Sequence, residues 1–270
     1  MAGSAGMRAR SMLFTLFGDY VRHYGGTIWV GSLIALMAEL GFTAHAVRAA
    51  VSRMARQGWL APTRVGRASY YALTPRGQDR IEEAAGRIFK LYPEAWDRHW
   101  RLLVVPSGGA ARAPQAAMRR ELGWIGFARV GPGQYITAND VLGRLASLEE
   151  RYGLVGRIET FVARHEGGST DAALAARSWD LGAINAAYAA FLAAWRPRLD
   201  ASRAAAVGVS DAEAFSEKSR LVHEFRKFLF VDPGLPEELL PPRWSGLDAR
   251  AVFSAYYHLL AEGALRCFEA

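Results

Sequence analysis

The sequence predicts an α+β chain in three parts: an N-terminal winged helix-turn-helix, a middle ferredoxin-like α/β sandwich and a C-terminal helical block. Three observations carry this. Residues 1–90 read helix, short strand, helix, turn, helix, hairpin, helix. Residues 91–175 read β-α-β-β-α-β. Residues 176–270 hold long helical patterns with apolar faces and no strand pattern. At 270 residues the chain suits two or three domains, and these blocks (1–90, 91–175, 176–270) are the expected ones.

Composition narrows the classes. Hydrophobic residues make up 51% of the chain, enough for a packed core. The single cysteine, Cys267, rules out an intrachain disulfide and a thiolate zinc cluster. Apolar stretches are broken by Arg, Glu or Asp and no signal-peptide pattern occurs, so the expectation is a cytoplasmic protein with no membrane attachment. His223 and His258 lack metal-ligand spacing; no metal, cofactor or catalytic residue is predicted. Net charge is +7, and residues 1–90 carry 12 Lys/Arg against 5 Asp/Glu, a surplus equal to the whole excess. Charge concentrated on one block points to a polyanionic partner for that block.

From Ser11, a predicted N-cap, Leu13, Leu16, Phe17, Tyr20 and Val21 recur at helical spacing up to Gly25-Gly26. Thr27 to Val30 is β-prone. Ser32 is read as the cap of a second helix with Leu33, Leu36, Met37 and Leu40 inward, ended by Gly41. Thr43 caps a third helix. Its inner face is Val47, Ala50, Val51 and Met54, and its outer face is His45, Arg48, Ala49 and Ser52. Leu60 to Val65 and Ser69 to Leu73 form a hairpin around Gly66-Arg67-Ala68, with Gly66-Arg67 at its tip, and Thr74-Pro75 opens a fourth helix. A basic helix face alone is as consistent with a solvated surface as with a DNA contact. The basic hairpin that follows favours duplex DNA. The predicted DNA-contacting set is Thr43, His45, Arg48, Ser52, Arg53 and Arg56 on the helix, with Arg64 and Arg67 on the wing. Arg48 has the reach for a guanine edge, while Arg53, Arg56 and the wing arginines suit phosphates.

The same region resembles the PaaX family, transcriptional repressors of aerobic phenylacetic acid catabolism. The resemblance rests on Leu16-Phe17-Gly18-Asp19-Tyr20, Val47-Arg48, Ser52-Arg53-Met54, Gly58-Trp59-Leu60 and Gly66-Arg67 followed by Ser69-Tyr70-Tyr71. It continues through the C-terminal block in Phe225-Arg226-Lys227-Phe228 and in residues 232–246.

In the middle block, strands are read at Trp100–Pro106, Phe127–Val130, Gln134–Thr137 and Ile158–Arg164, with helices at 113–122 and 140–152. The resemblance implies a Cas2-like domain here, and with it a metal-dependent nuclease as the alternative function. Against that reading, the first strand ends Val104-Val105-Pro106-Ser107 without the carboxylate a nuclease of that type needs for Mg²⁺, and Asp97 reads as a solvated residue or cap. The block is read as a spacer and dimerisation element.

In the last block, Ser178 is predicted to cap one helix, the capping box Ser210-Asp211-Ala212-Glu213 a second, and Asp248 to start a third. The family resemblance implies a homodimer released from operator DNA by an aryl-CoA effector, typically phenylacetyl-CoA; control of another acyl-CoA pathway is a further alternative. Such a ligand needs an apolar slot and cations for its phosphates. The candidates are Trp179, Trp195 and Trp244 for the slot, and Arg196, Arg226, Lys227 and Arg243 for the phosphates.

Overall fold

The computed structural model describes residues 8–89, 95–105, 112–205 and 208–270, with the side chains of 112–115 outside that description. Of residues 1–10, expected to be a tail, 1–7 lie outside the described residues, as do the 90/91 boundary and the strand end Pro106-Ser107, while Ala9 and Arg10 are already helical. The chain folds as two compact units: residues 1–89, 191–226 and 250–270 in one, residues 90–190 and 227–249 in the other. The C-terminal third contributes to both.

The first unit begins with α1 (Ala9–Asp19), β1 (Thr27–Trp29), α2 (Val30–Glu39), α3 (Ala44–Arg56), the hairpin β2 (Leu60–Val65) and β3 (Ala68–Leu73), and α4 (Pro75–Ile88). The strands form one antiparallel sheet in the order β1-β3-β2. This is a winged helix-turn-helix. Met12, Leu13, Leu16 and Phe17 of α1, Leu33 and Met37 of α2, and Val47, Val51 and Met54 of α3 are buried together in its core. Each such side chain contributes about 1.5–3 kcal/mol on burial. Two helix starts differ from the sequence reading. Helix α1 begins at Ala9 with Arg8 in the cap position, because the Ser11 hydroxyl is engaged by Arg226 instead of the helix end. Helix α2 begins at Val30 directly from β1, with Trp29 in the cap position.

The second unit contains β4 (Trp100–Val104), α5 (Arg112–Ile125), β5 (Ala128–Gly131), β6 (Gln134–Thr137), α6 (Leu145–Tyr152), β7 (Glu159–Ala163), α7 (Asp171–Ser178) and the start of α8 (Leu181–Ala204). Its sheet has the order β5-β6-β4-β7, with every neighbouring pair antiparallel. In chain order that is second, third, first, fourth, the ferredoxin-like arrangement. Leu103, Tyr135 and Ile136 from the sheet are buried, as are Met118 and Leu122 of α5 and Leu145 and Leu148 of α6. Ser178 ends α7, where its hydroxyl donates to the Leu174 carbonyl (2.7 Å). The first turn of α8 is capped instead by Asp180, which accepts from the Ala183 amide at 3.0 Å. The Tyr188 hydroxyl donates to the buried Asp232 carboxylate (2.5 Å), and its ring stacks on Phe228 with centroids 3.8 Å apart.

Asp97 is not simply solvated. It takes both ends of the Arg101 guanidinium, at 2.8 and 2.6 Å, and Arg101 itself is buried in β4. The bidentate bond to Arg101 holds the Asp97 carboxyl below its usual value of 3.8. A depressed folded value adds stability above the unfolded value and loses it as pH falls through the folded one. Asp97→Asn is therefore expected to flatten the acid limb of the unfolding curve below about pH 4, as read by the thermal midpoint between about pH 2 and 6. Equal acid sensitivity in the parent and the variant would contradict this.

Back in the first unit, α9 (Asp211–Phe225) opens on the predicted capping box. Glu213 accepts from the Ser210 amide at 3.0 Å, and Ser210 accepts from the Glu213 amide at 3.3 Å. Helix α10 (Gly246–Glu269) starts two residues earlier than expected, and Phe253 stacks on Phe225 with centroids 4.2 Å apart. Among the described residues no helix is long and apolar enough to cross a membrane.

Candidate nucleic-acid interface

Helix α3 divides as its sequence dictates. Val47, Ala50, Val51 and Met54 are buried, while His45, Arg48, Ala49, Ser52, Arg53 and Arg56 are all exposed. Thr43 accepts from the Ala46 amide at 3.2 Å, capping the helix at the end where a winged helix enters a groove. The hairpin pairs in register from Leu60 with Leu73 to Val65 with Ala68, leaving Gly66 and Arg67 as a two-residue loop. Gly66 sits at φ +58° in the first loop position. A Cβ there would meet open space, but residues with side chains rarely adopt this left-handed backbone, so glycine holds the position. Arg64 and Arg67 are exposed at the tip.

Among the described residues, the side chains of Arg48, Arg53, Arg56, Arg64 and Arg67 form no ion pair and no hydrogen bond. Five exposed cations on α3 and the wing thus stand without a carboxylate in ion-pair reach among the described residues. An anionic ligand meeting this face displaces only water and counterions. Arginines that already held internal partners would have to break those bonds first.

The wing is fastened to the helix by residues absent from the predicted set. The Thr74 hydroxyl donates to the Gly58 carbonyl (2.7 Å) and accepts from the Gly77 amide (3.2 Å), and the Thr74 amide donates to the Trp59 carbonyl (3.1 Å). A Cβ on Gly77 would lie 2.7 Å from the Trp59 carbonyl oxygen, so only glycine lets α4 close against the end of α3. The Trp59 indole packs edge-on against Phe14 (5.4 Å) and under the Arg76 guanidinium (4.3 Å). These contacts set where Arg64 and Arg67 stand relative to Arg48. Thr74-Pro75 was legible as a helix start; its second task, pinning the end of the preceding helix, carried no local signal.

The seven effector candidates fall on different units. Trp179, Lys227, Arg243 and Trp244 belong to the second, and Trp195, Arg196 and Arg226 to the first. In the second unit, Trp179 stacks on Trp100 (6.3 Å, 18°) and Trp244 stands edge-on to Tyr188 (5.7 Å), while Lys227 and Arg243 are exposed. In the first unit, Trp195 is buried between Phe191 and Tyr256 (5.9 and 6.2 Å) and Arg196 is exposed. Arg226 donates to the Ser11 carbonyl (2.7 Å) and hydroxyl, and burial lowers its pKa to about 10. Among the described residues, no three of His, Cys, Asp and Glu cluster as a metal site would require.

Comparison with known proteins covers nearly the whole chain. Residues 8–77 match the family described as PaaX-like protein, residues 93–175 the PaaX protein central Cas2-like domain, and residues 179–270 the PaaX-like protein C-terminal domain. The chain is 34% identical over 258 residues to the transcriptional repressor PaaX of Escherichia coli (strain K12), covering 94% of this chain and 81% of that one. Among solved structures it is similar to an uncharacterized protein from Mycobacterium tuberculosis, at a TM-score of 0.58 and 25% identity, over 96% of this chain and 98% of that one.

Proposed function

The chain belongs to the PaaX family, and from that membership we propose that it is a DNA-binding transcriptional repressor of phenylacetic acid catabolism, released from its operator by phenylacetyl-CoA. The observation that carries the DNA reading is the unneutralised face of Arg48, Arg53, Arg56, Arg64 and Arg67 on a winged helix. Helix α3 is the element that enters the major groove, where Arg48, His45 and Ser52 face bases. Thr43, Arg53 and Arg56 flank it on the backbone, and the wing arginines lie along the neighbouring phosphates.

Operator recognition by a homodimer follows the rule that a two-fold protein reads a two-fold site. Strand β7 supports the dimer reading. It is an edge strand of the second unit's sheet, and Phe161 and Val162 on it are 50% and 58% exposed. Exposed apolar edge strands are templates for pairing with another chain. Two β7 strands set antiparallel with Phe161 opposite Val162 also bring Glu159 opposite Arg164, and Arg157 opposite Glu166.

For the effector, the exposed cations Lys227 and Arg243 of the second unit are the candidates to meet CoA phosphates, with Trp179 and Trp244 of the same unit as the aromatic walls of a slot. Arg196, Arg226 and Trp195 belong to the first unit, where Arg226 holds Ser11 and Trp195 serves the core around Tyr256. The reading is tested by thermal shift and gel shift with phenylacetyl-CoA, phenylacetate and acetyl-CoA on the full chain. A ligand at 100 times its dissociation constant stabilises by about 2.7 kcal/mol. The expected result is a thermal shift and operator release with phenylacetyl-CoA alone; acetyl-CoA acting equally well would move the assignment to a general acyl-CoA sensor.

A further inference from the structure

Helix α1 carries two stripes. Its apolar stripe, Met12, Leu13, Leu16 and Phe17, faces the winged-helix core. Its second stripe is polar and recurs every fourth residue: Ser11, Thr15 and Asp19. Helix α9 answers it rung by rung in antiparallel order. Lys218 Nζ meets Asp19 Oδ2 at 2.6 Å, His223 Nδ1 lies 3.4 Å from Thr15 Oγ1, and Arg226, just past the end of α9, donates to the Ser11 carbonyl at 2.7 Å. Tyr257 of α10 donates to the other Asp19 oxygen (2.7 Å). The Lys218 ammonium sits between the rings of Tyr20 and Tyr257, at 4.3 and 4.2 Å.

Seven polar or charged residues are buried among the described residues, and four of them, Thr15, Lys218, Ser219 and His223, lie on this one helix pair. The polar character is therefore a property of the seam. A permanent fusion of two helices is built from hydrocarbon, which costs nothing to desolvate. Burying two ions costs several kcal/mol each before their attraction repays it, and an apolar seam of equal volume is commonly as stable or more so. What the polar rungs of the seam do allow is parting: when it opens, they present charges and hydroxyls to water, which solvates them, and the apolar contact that must also break is that of Tyr20 with Phe215 at one end. When it closes, directional bonds at Asp19 and Ser11 specify a single register.

We propose that the α1–α9 seam is a separable joint through which the C-terminal helices control the placement of the reading helix α3. Helix α1 packs on α3 on its apolar side and on α9 on its polar side, so parting the seam removes one support of the scaffold behind α3. The two states differ in discrete bonds, as a switching element requires. The assignment of a role in operator release rests on the repressor reading above; the joint itself does not.

The test converts the seam to hydrocarbon in the full-length protein with D19L/K218M/Y257F, and separately with T15V/H223L in case the first variant fails to fold. Native-state amide exchange reports the joint without any ligand. In the parent, amides of α1 and α9 are expected to exchange at least tenfold faster than the buried amides of α3, by opening short of global unfolding. In either apolar variant that difference is expected to vanish, with operator affinity within about threefold of the parent and release by phenylacetyl-CoA weakened at least tenfold. Parent seam amides that exchange only at the α3 rate overturn the joint. Release unchanged in a variant whose seam exchange has been suppressed overturns its role in signalling. If phenylacetyl-CoA fails to release the parent, the effector assignment falls while the exchange comparison still decides the joint.

Discussion

Lys218→Met alone is expected to destabilise the protein by about 3–5 kcal/mol, the usual cost of removing one partner from a buried ion pair. The Asp19 and Lys218 side chains are 3% and 4% exposed, so solvent cannot replace the lost ammonium. Asp19 would keep the Tyr257 hydroxyl on one oxygen and bury the other without a donor. For a unit of this size each kcal/mol moves the midpoint by roughly 2–4 °C, which predicts a fall on the order of 6–20 °C. The apolar triple variant should recover the whole loss, since the penalty comes from an unpaired charge and not from missing volume. Thermal unfolding of the parent, the single and the triple variant decides the matter. A single variant as stable as the parent would mean that water reaches Asp19, and that the pair is not a buried one.

Arg48→Ala and Arg67→Ala are expected to leave the midpoint unchanged and to weaken operator binding in two different ways. Both side chains are exposed and make no internal bond among the described residues, so neither has a folding role to lose. Arg48, on the outer face of α3, is expected to cost about 1–3 kcal/mol on the cognate site, roughly 5- to 150-fold in affinity, and much less on unrelated DNA. Arg67, at the wing tip, is expected to weaken binding to every sequence and to reduce the slope of log affinity against log salt by about 0.9. Salt titrations on operator and non-operator duplexes separate the two. Loss of the same size on both duplexes for Arg48→Ala would move that residue from base reading to backbone contact.

The sequence made local structure legible where a signal and its effect lie within a few residues. Thr43, Thr74 and the Ser210 capping box start the helices they were expected to start, and Gly66-Arg67 turns the hairpin as its flanking strands required. The strand and helix order of the middle block was enough to specify the ferredoxin-like sheet, because few topologies suit that order. Readings failed where a side chain was claimed by a distant residue. Ser11 looks like a cap until Arg226, 215 positions away, takes its hydroxyl. The Asp19–Lys218 pair joins residues 199 positions apart, beyond the reach of any periodicity. Half of that seam was nonetheless on view: a helix with Ser11, Thr15 and Asp19 on one line has a second face to bury. The effector candidates were chosen by residue type, which says nothing of the unit to which each residue belongs.

The division of the first unit into three separated stretches of chain, residues 1–89, 191–226 and 250–270, has a consequence for the protein during its own synthesis. The winged helix leaves the ribosome first, but the helices that cover α1 arrive last. At about 5–20 residues per second, the interval between residues 89 and 270 is on the order of 10–40 s. Throughout that time the polar stripe of α1 faces water instead of α9, and the nascent winged helix lacks residues 191–226 and 250–270 of its unit. Repression is therefore counted in finished chains. A message stopped between the end of the winged helix and the last helix is expected to yield polypeptides that carry all five arginines proposed to contact DNA on an unsupported scaffold, and fragments cut at the edge of the winged helix are expected to share the defect.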